Sequence, residues 1–264
     1  MEDVQIGPAA IPLHINRVGV RGISMPMLVR RRGSDMPQHT VADVELGVDL
    51  PPTFKGTHMS RFVETIQRHA GLGLDYNVIS KILEEMRDHL RAERSFASFG
   101  FKYFLDRKAP ASGIVSTMHY ACRLAGEAVP ASNRTPPWHV RHSMEVVVPV
   151  MTVCPCSKAI SDVGAHTQRT EVRMTVQMSG WVWIEELIDI AESSGSSPVY
   201  TLLKREDEKF VTEHAFARPV FVEDVVRNVA AALSENLNIS HFRVEVESAE
   251  SIHAHNAFAT IESC

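Results

Sequence analysis

Cys154-Pro155-Cys156-Ser157-Lys158, with His166 twelve positions after the first cysteine, is the stretch of this chain best able to do chemistry. A thiolate and an imidazole are the side chains that hold a borderline-soft divalent metal. The Cys-x-Cys spacing is too short for a conventional zinc knuckle, and no second cysteine pair follows. The stretch therefore reads as a metal site with an open coordination position, or as a reactive thiol. Two merely packed cysteines are the ordinary alternative, but buried cysteines favour apolar surroundings and polar residues ring this pair.

Other polar groups have an everyday reading beside a chemical one. A histidine before a strand is ordinarily a turn residue, so only its spacing from Cys154 makes His166 a candidate ligand. The run Lys204-Arg205-Glu206-Asp207-Glu208-Lys209 reads as a solvated loop, whose carboxylates can complete a metal shell and whose cations can hold phosphate. Glu223 opens a helix at Phe221-Val222-Glu223-Asp224, where the helix dipole already favours an acid. His253 and His255 stand at i, i+2, which in a strand puts them on one side, and imidazoles donate protons near neutral pH. The turn from Lys55 to Arg61 mixes cations, hydroxyls and a glycine ahead of a helix. It suits phosphate, or simply an N-capping loop with Ser60 as the cap.

Hydrophobic periodicity supplies the elements that must position these residues. Val172, Met174, Val176 and Met178 alternate with polar residues, which predicts a half-buried strand after the apolar strand 144–153. Ile184, Leu187, Ile188 and Ala191 fall at helical spacing, and Val222, Val225, Val226, Val229, Ala230 and Leu233 give a second, stronger helix. Strands follow at Val244–Val246 and 256–261. The first half repeats the order with strands at 13–23 and 41–48, helices at 60–70 and 77–91, and strands at 99–105 and 118–124. The expectation is an α+β protein of two modules, 1–128 and 138–264, each an antiparallel sheet with two helices on one face. A Pro-rich linker at 129–137 joins them. Sheets of this kind leave open edges, which joining subunits into a barrel would close, so a homo-oligomer is expected.

Composition narrows the partners. A net charge of −5 gives no general affinity for nucleic acid or an anionic membrane, so phosphate binding must be local. No run approaches the ~18 apolar residues of a membrane span. The start, Met1-Glu2-Asp3-Val4, has neither a basic segment nor an apolar core of a signal peptide. Four cysteines imply no disulfide framework. A cytoplasmic location is expected.

Five segments together resemble a known family, the prokaryotic type IB GTP cyclohydrolases: KGTHMSRF (55–62), CPCSKxISxxGAHxQR (154–169), LLKRxDEKxVTE (202–213), FVEDVVR (221–227) and VEVESxESIHAHNA (244–257). They span most of the chain in family order. The resemblance implies conversion of GTP and water to 7,8-dihydroneopterin triphosphate and formate, the entry to folate and other pterins. It also implies the tunnelling fold, as a bimodular homotetramer. It makes Cys154 the thiolate ligand and His166 the imidazole ligand of a zinc, manganese or iron(II) ion, with Glu208 a carboxylate at the metal. Glu223 resembles the acid that anchors the purine edge. Cys156 and His253 resemble residues placed for proton handling, a part His255 can share, while Lys55, Arg61, Lys204 and Arg205 are candidates for the triphosphate. Two rival readings are a tunnelling-fold nitrile reductase of queuosine biosynthesis, using a nucleophilic cysteine and NADPH, and a non-catalytic purine- or pterin-binding protein. The first needs no metal-spaced histidine, and the second needs neither Cys154 nor His166.

Overall fold

The computed structural model describes Gln5, residues 7–131 and residues 138–263, so residues 132–137 of the expected linker lie outside the described residues. Its elements are β1 (Ile15–Arg31), β2 (Ser34–Leu50), α1 (Met59–Arg68), β3 (Gly73–Leu74), α2 (Tyr76–Leu90), β4 (Ser95–Lys108), β5 (Val115–Pro130) and β6 (Trp138–Val153). They continue with α3 (Pro155–Ile160), β7 (Thr167–Met178), α4 (Ile184–Ser194), β8 (Ser197–Pro198), α5 (Arg205–Ala217), α6 (Val222–Ser234), β9 (Ile239–Ala249) and β10 (Ala257–Glu262). None of the described helices is long and apolar enough to cross a membrane. The chain forms two compact units, one made of the residues up to Lys102 with Arg123–Ser143, the other of Tyr103–Cys122 with the residues from Met144.

In the first unit β1 and β2 form a long antiparallel hairpin turned at Gly33, whose φ of 68° is one that glycine adopts without strain. β4 pairs antiparallel with β2, and the two-residue β3 runs parallel to β1. Alternation drives the sheet: Ala42, Val44, Leu46 and Val48 of β2 are buried, as are Ala97, Phe99 and Phe101 of β4. Ile79, Ile82, Leu83 and Met86 of α2 are fully buried on one face, with Phe62 and Ile66 of α1. The approach of α2 is close at Gly126 of β5, where a Cβ would come within 2.6 Å of Ile79 Cγ2. The cap of α1 falls at His58, two residues before the expected Ser60, which lies inside the helix.

His142 of this unit sits beside the Tyr76 ring, 5.0 Å between centroids, with Nε2 3.2 Å from the Ser80 hydroxyl. Burial pushes its pKa down to about 4, against a smaller upward pull from Asp75. The folded state therefore keeps this imidazole neutral while the unfolded chain protonates it from about pH 6.5 downward. Its contribution to stability is full above that value and is lost as pH falls towards 4, by about 2 kcal/mol at pH 5. Urea unfolding at pH 7.5 and pH 5 should show a smaller loss of stability for His142→Gln than for the parent; equal losses would remove His142 from the account.

In the second unit β10, β9, β7 and β6 lie side by side in that order, with β8 on β6. The pairs β7–β9 and β9–β10 are antiparallel, with Val172 opposite Val246 and Ala259 opposite Val246 across the two ladders. Leu187, Ile188 and Ala191 of α4 and Val225, Val226, Val229 and Leu233 of α6 are buried with Val172, Met174, Val176 and Val244 of the sheet. α4, α5 and α6 start alike: a carboxylate at the third helical position, Glu186, Asp207 or Asp224, accepts from the backbone N–H of the cap residue at 2.9–3.3 Å. The expected β-β-α-α-β-β order thus holds for the main elements, with three additions in this half, the two-residue β8 among them. α3 stands between β6 and β7, and the charged run 204–209 is the cap and start of α5 rather than a loop.

Candidate functional site

The end of β6 and the start of β7 bring Cys154 and His166 together. The backbone N–H of Cys154 donates to the His166 carbonyl at 3.1 Å, so the two residues close the base of the excursion that holds α3. Cys154 caps α3, Pro155 occupies the first helical turn, and Cys154 Sγ accepts from the Ser157 N–H at 3.4 Å. The Ser157 hydroxyl in turn accepts from the His166 N–H at 3.3 Å. Cys154 is half-buried and Cys156 exposed, while Cys122 is buried, and that burial, with the Glu185 and Glu145 charges, pushes its thiol far up. Cys122 is thereby kept as a packed, protonated thiol.

A cavity of about 530 Å³ opens at this point, within the usual range for small-molecule sites. Cys154, His166, Glu223, His253 and His255 all line it. Glu223 reaches it from the first turn of α6, whose backbone Asp224 caps, leaving the Glu223 side chain exposed to the cavity. His253 and His255 come from the bend between β9 and β10 rather than from a strand, yet their rings stack at 5.2 Å and 16°.

Behind His166 lies a buried polar chain that crosses three strands. Gln168 Nε2 is 2.5 Å from His166 Nδ1 and donates to Glu250 at 3.2 Å, while Gln168 Oε1 accepts from the Thr152 hydroxyl at 3.1 Å. The Thr152, Thr170 and Ser248 hydroxyls continue it at 2.8 and 2.9 Å. Gln168, Thr152 and Glu250 were not singled out from the sequence. A signal was present for the first: Gln168 and Thr170 fall on the same parity as Val172 and Met174, so β7 buries two polar side chains on its core face.

The other candidates lie elsewhere. Cys156 sits on α3 and Lys204, Arg205 and Glu208 on the first turn of α5, all exposed and none in the cavity lining. Their neighbour Asp207 is fully buried. Burial alone would raise its pKa, but the Ser112 hydroxyl and the backbone N–H groups of Ser112, Lys204 and Ala111 hold the carboxyl well below the usual range. Asp207 clamps the turn between β4 and β5 to α5 and has no capacity left for a ligand. Lys55 and Arg61 belong to the first unit, where Arg61 donates to the His89 carbonyl at 2.6 Å and lines a small cavity with Thr57, His58 and Arg91.

Cys154 and His166 are donors of the right kind for a zinc-like ion. A catalytic site of that type needs about three protein ligands; among the described residues no three His, Cys, Asp or Glu side chains are grouped so as to hold a metal. The arrangement thus sets a thiol, an imidazole, an acid from the first turn of α6 and a pair of stacked imidazoles around one cavity that Val220, Phe221, Val222 and Phe258 also line.

Residues 1–259 match the family described as Type I GTP cyclohydrolase folE2. A GTP cyclohydrolase FolE2 of Desulfovibrio desulfuricans is 57% identical over 262 residues, covering 99% of this chain and 97% of the relative. One from Pseudothermotoga lettingae is 47% identical over 261 residues, covering 99% and 98%. Among solved structures, a uricase from Bacillus fastidious superposes with a TM-score of 0.56 at 10% identity over 94% of this chain and 92% of that one. Urate oxidase from Bacillus sp. TB-90 gives 0.53 at 9% identity over 94% and 99%. At that identity the likeness shows the fold alone, which is the tunnelling fold.

Proposed function

The chain belongs to the type I GTP cyclohydrolase folE2 family, and from that premise we propose that it converts GTP and water to 7,8-dihydroneopterin triphosphate and formate, in the prokaryotic type IB branch. The observation that carries the proposal is the single cavity that Cys154, His166, Glu223, His253 and His255 share. Glu223 accepts N–H bonds from the guanine edge, a bidentate match that a carboxylate makes well. His253 and His255 supply the proton that N7 takes up as C8 is hydrolysed. Cys154 and His166 would hold a divalent zinc, manganese or iron(II) ion, and such an ion when bound supplies the Lewis acidity that makes water a nucleophile near neutral pH. Glu208 as a further ligand rests on the family likeness alone, since its side chain is exposed on α5. The same holds for Cys156 in proton handling and for Lys55, Arg61, Lys204 and Arg205 at the triphosphate.

Metal-stripped protein should release formate and form a fluorescent pterin from GTP only after zinc, manganese or iron(II) is restored. NADPH oxidation without formate would instead identify a nitrile reductase, and binding of GTP without either product a silent purine-binding protein. The proposal includes a homotetramer, supported by β10, which ends the strand order with Phe258 75% exposed. Light scattering should give about four times the chain mass of 29.4 kDa, whereas a fully active monomer would rule the tetramer out.

A further inference from the structure

We propose that Gln168 is a positioning residue: held by Glu250 and Thr152, its carboxamide dictates which ring nitrogen of His166 carries the proton. The carboxamide has one donor end and one acceptor end. Glu250 can only accept when ionised, so it draws the Nε2 end, and the Thr152 hydroxyl, donating, takes Oε1. Reversing the amide would place Oε1 against the half-buried Glu250 carboxylate and set two acceptors face to face beside a Gln168 side chain that is only 7% exposed. With the amide so held, its second N–H points at His166 Nδ1, which must accept. The proton of a neutral His166 is then on Nε2.

That arrangement bears on any metal. An imidazole binds an ion through a nitrogen lone pair, and its other nitrogen then carries the proton and donates it. His166 can offer Nε2 only after Nδ1 has become a donor, which requires Gln168 to turn its oxygen towards the ring. The Thr152 hydroxyl can accept the amide N–H that results, passing its own proton to Thr170 and on to Ser248. Glu250 cannot make the matching change, because a carboxylate does not donate. Glu250 therefore holds His166 in its Nε2-protonated form, acting through the Gln168 amide that it touches. Loss of the Glu250 charge should free the amide to turn.

The test reads the tautomer directly in metal-free protein, from the 15N shifts and two-bond couplings of the His166 ring. The parent should show protonated Nε2, Glu250→Gln should move the population towards protonated Nδ1, and Gln168→Leu should leave the ring without a fixed preference. Zinc titration then provides a second readout. Glu250→Gln should bind about tenfold more tightly than the parent, the scale on which outer partners of a ligand act, although removing an acid beside a cation would ordinarily weaken binding. His166→Ala should abolish the difference. An unchanged tautomer in both variants overturns the proposal. The zinc arm rests on the metal reading above: tautomer shifts with no zinc bound by any variant would sink that reading and leave the role of Gln168 standing. A variant that lost only thermal stability, with parent-like ring signals, would mark Gln168 as a packing residue and nothing more.

Discussion

Replacing Cys154 with alanine is expected to abolish formate release from GTP, by at least about a thousandfold in kcat, while the protein remains folded. Among the described residues Cys154 is the one cysteine that lines the cavity, since Cys156 is exposed on α3 outside the lining and Cys122 is buried. No neighbour can take its place at a metal, because bonding needs a deprotonated sulfur. The fold should survive, since the ladder bond to the His166 carbonyl comes from the Cys154 backbone and persists in the variant. What is lost locally is a long contact from the Ser157 N–H to sulfur, 3.4 Å. Metal content after dialysis, formate release and thermal unfolding would be measured together. Full metal occupancy with near-parent turnover would remove Cys154 from the site, and collapse of the fold would be visible separately in the unfolding curve.

Glu223→Gln is expected to act on binding. A neutral amide cannot accept both N–H bonds of the guanine edge, and losing one charge-assisted bond costs ~1.5–3 kcal/mol. KM for GTP should rise about ten- to a hundredfold, as that energy converts to affinity. Folding should change by less than about 1 kcal/mol, the usual worth of an acid in a helix's first turn. The cap of α6 is made by Asp224 and is untouched. Inosine triphosphate, which lacks the exocyclic amine, should discriminate less between parent and variant than GTP does. Unchanged KM would leave Glu223 as a helix-terminus acid.

The parts of this fold that were legible in the sequence are those whose burial is written in one side of one element. α2 and α6 were visible because Ile79, Ile82, Leu83 and Met86, or Val225, Val226, Val229 and Leu233, fall on a single stripe and are buried as that stripe predicts. β7 was visible for the same reason at period two. α5 was not, because it buries only Asp207 and Ala215 and carries its charges where a helix start looks like a loop. The strands were read too short: β1 and β2 continue past their apolar cores as a hairpin whose outer residues are held by ladder bonds that side-chain patterning does not report. At the site, Cys154, His166, Glu223, His253 and His255 were named from residue type and motif, and the structure sets them around one cavity. The chain of Glu250, Gln168, Thr152, Thr170 and Ser248 was not, since these side chains meet only through the register of β6, β7 and β9. Register is a property of strand pairs and is absent from either strand alone.

The backbone bond between Cys154 and His166 also relieves the outer rim of the excursion, residues 159–164, of any part in setting their positions. Both donors are fixed by the ladder at the base of the excursion and by Ser157 just inside it, while residues 159–164 are all exposed. Lengthening or trimming that exposed rim changes a loop whose ends are already tied, at a cost that varies only slowly with its length, ~0.6 kcal/mol per doubling. The separation of the thiol and the imidazole along the chain is therefore a poor ruler for their separation in space. A homologue with a different number of residues between cysteine and histidine can carry the same donor pair, and a tag or probe inserted near Asp162 would ride on the protein without disturbing either donor.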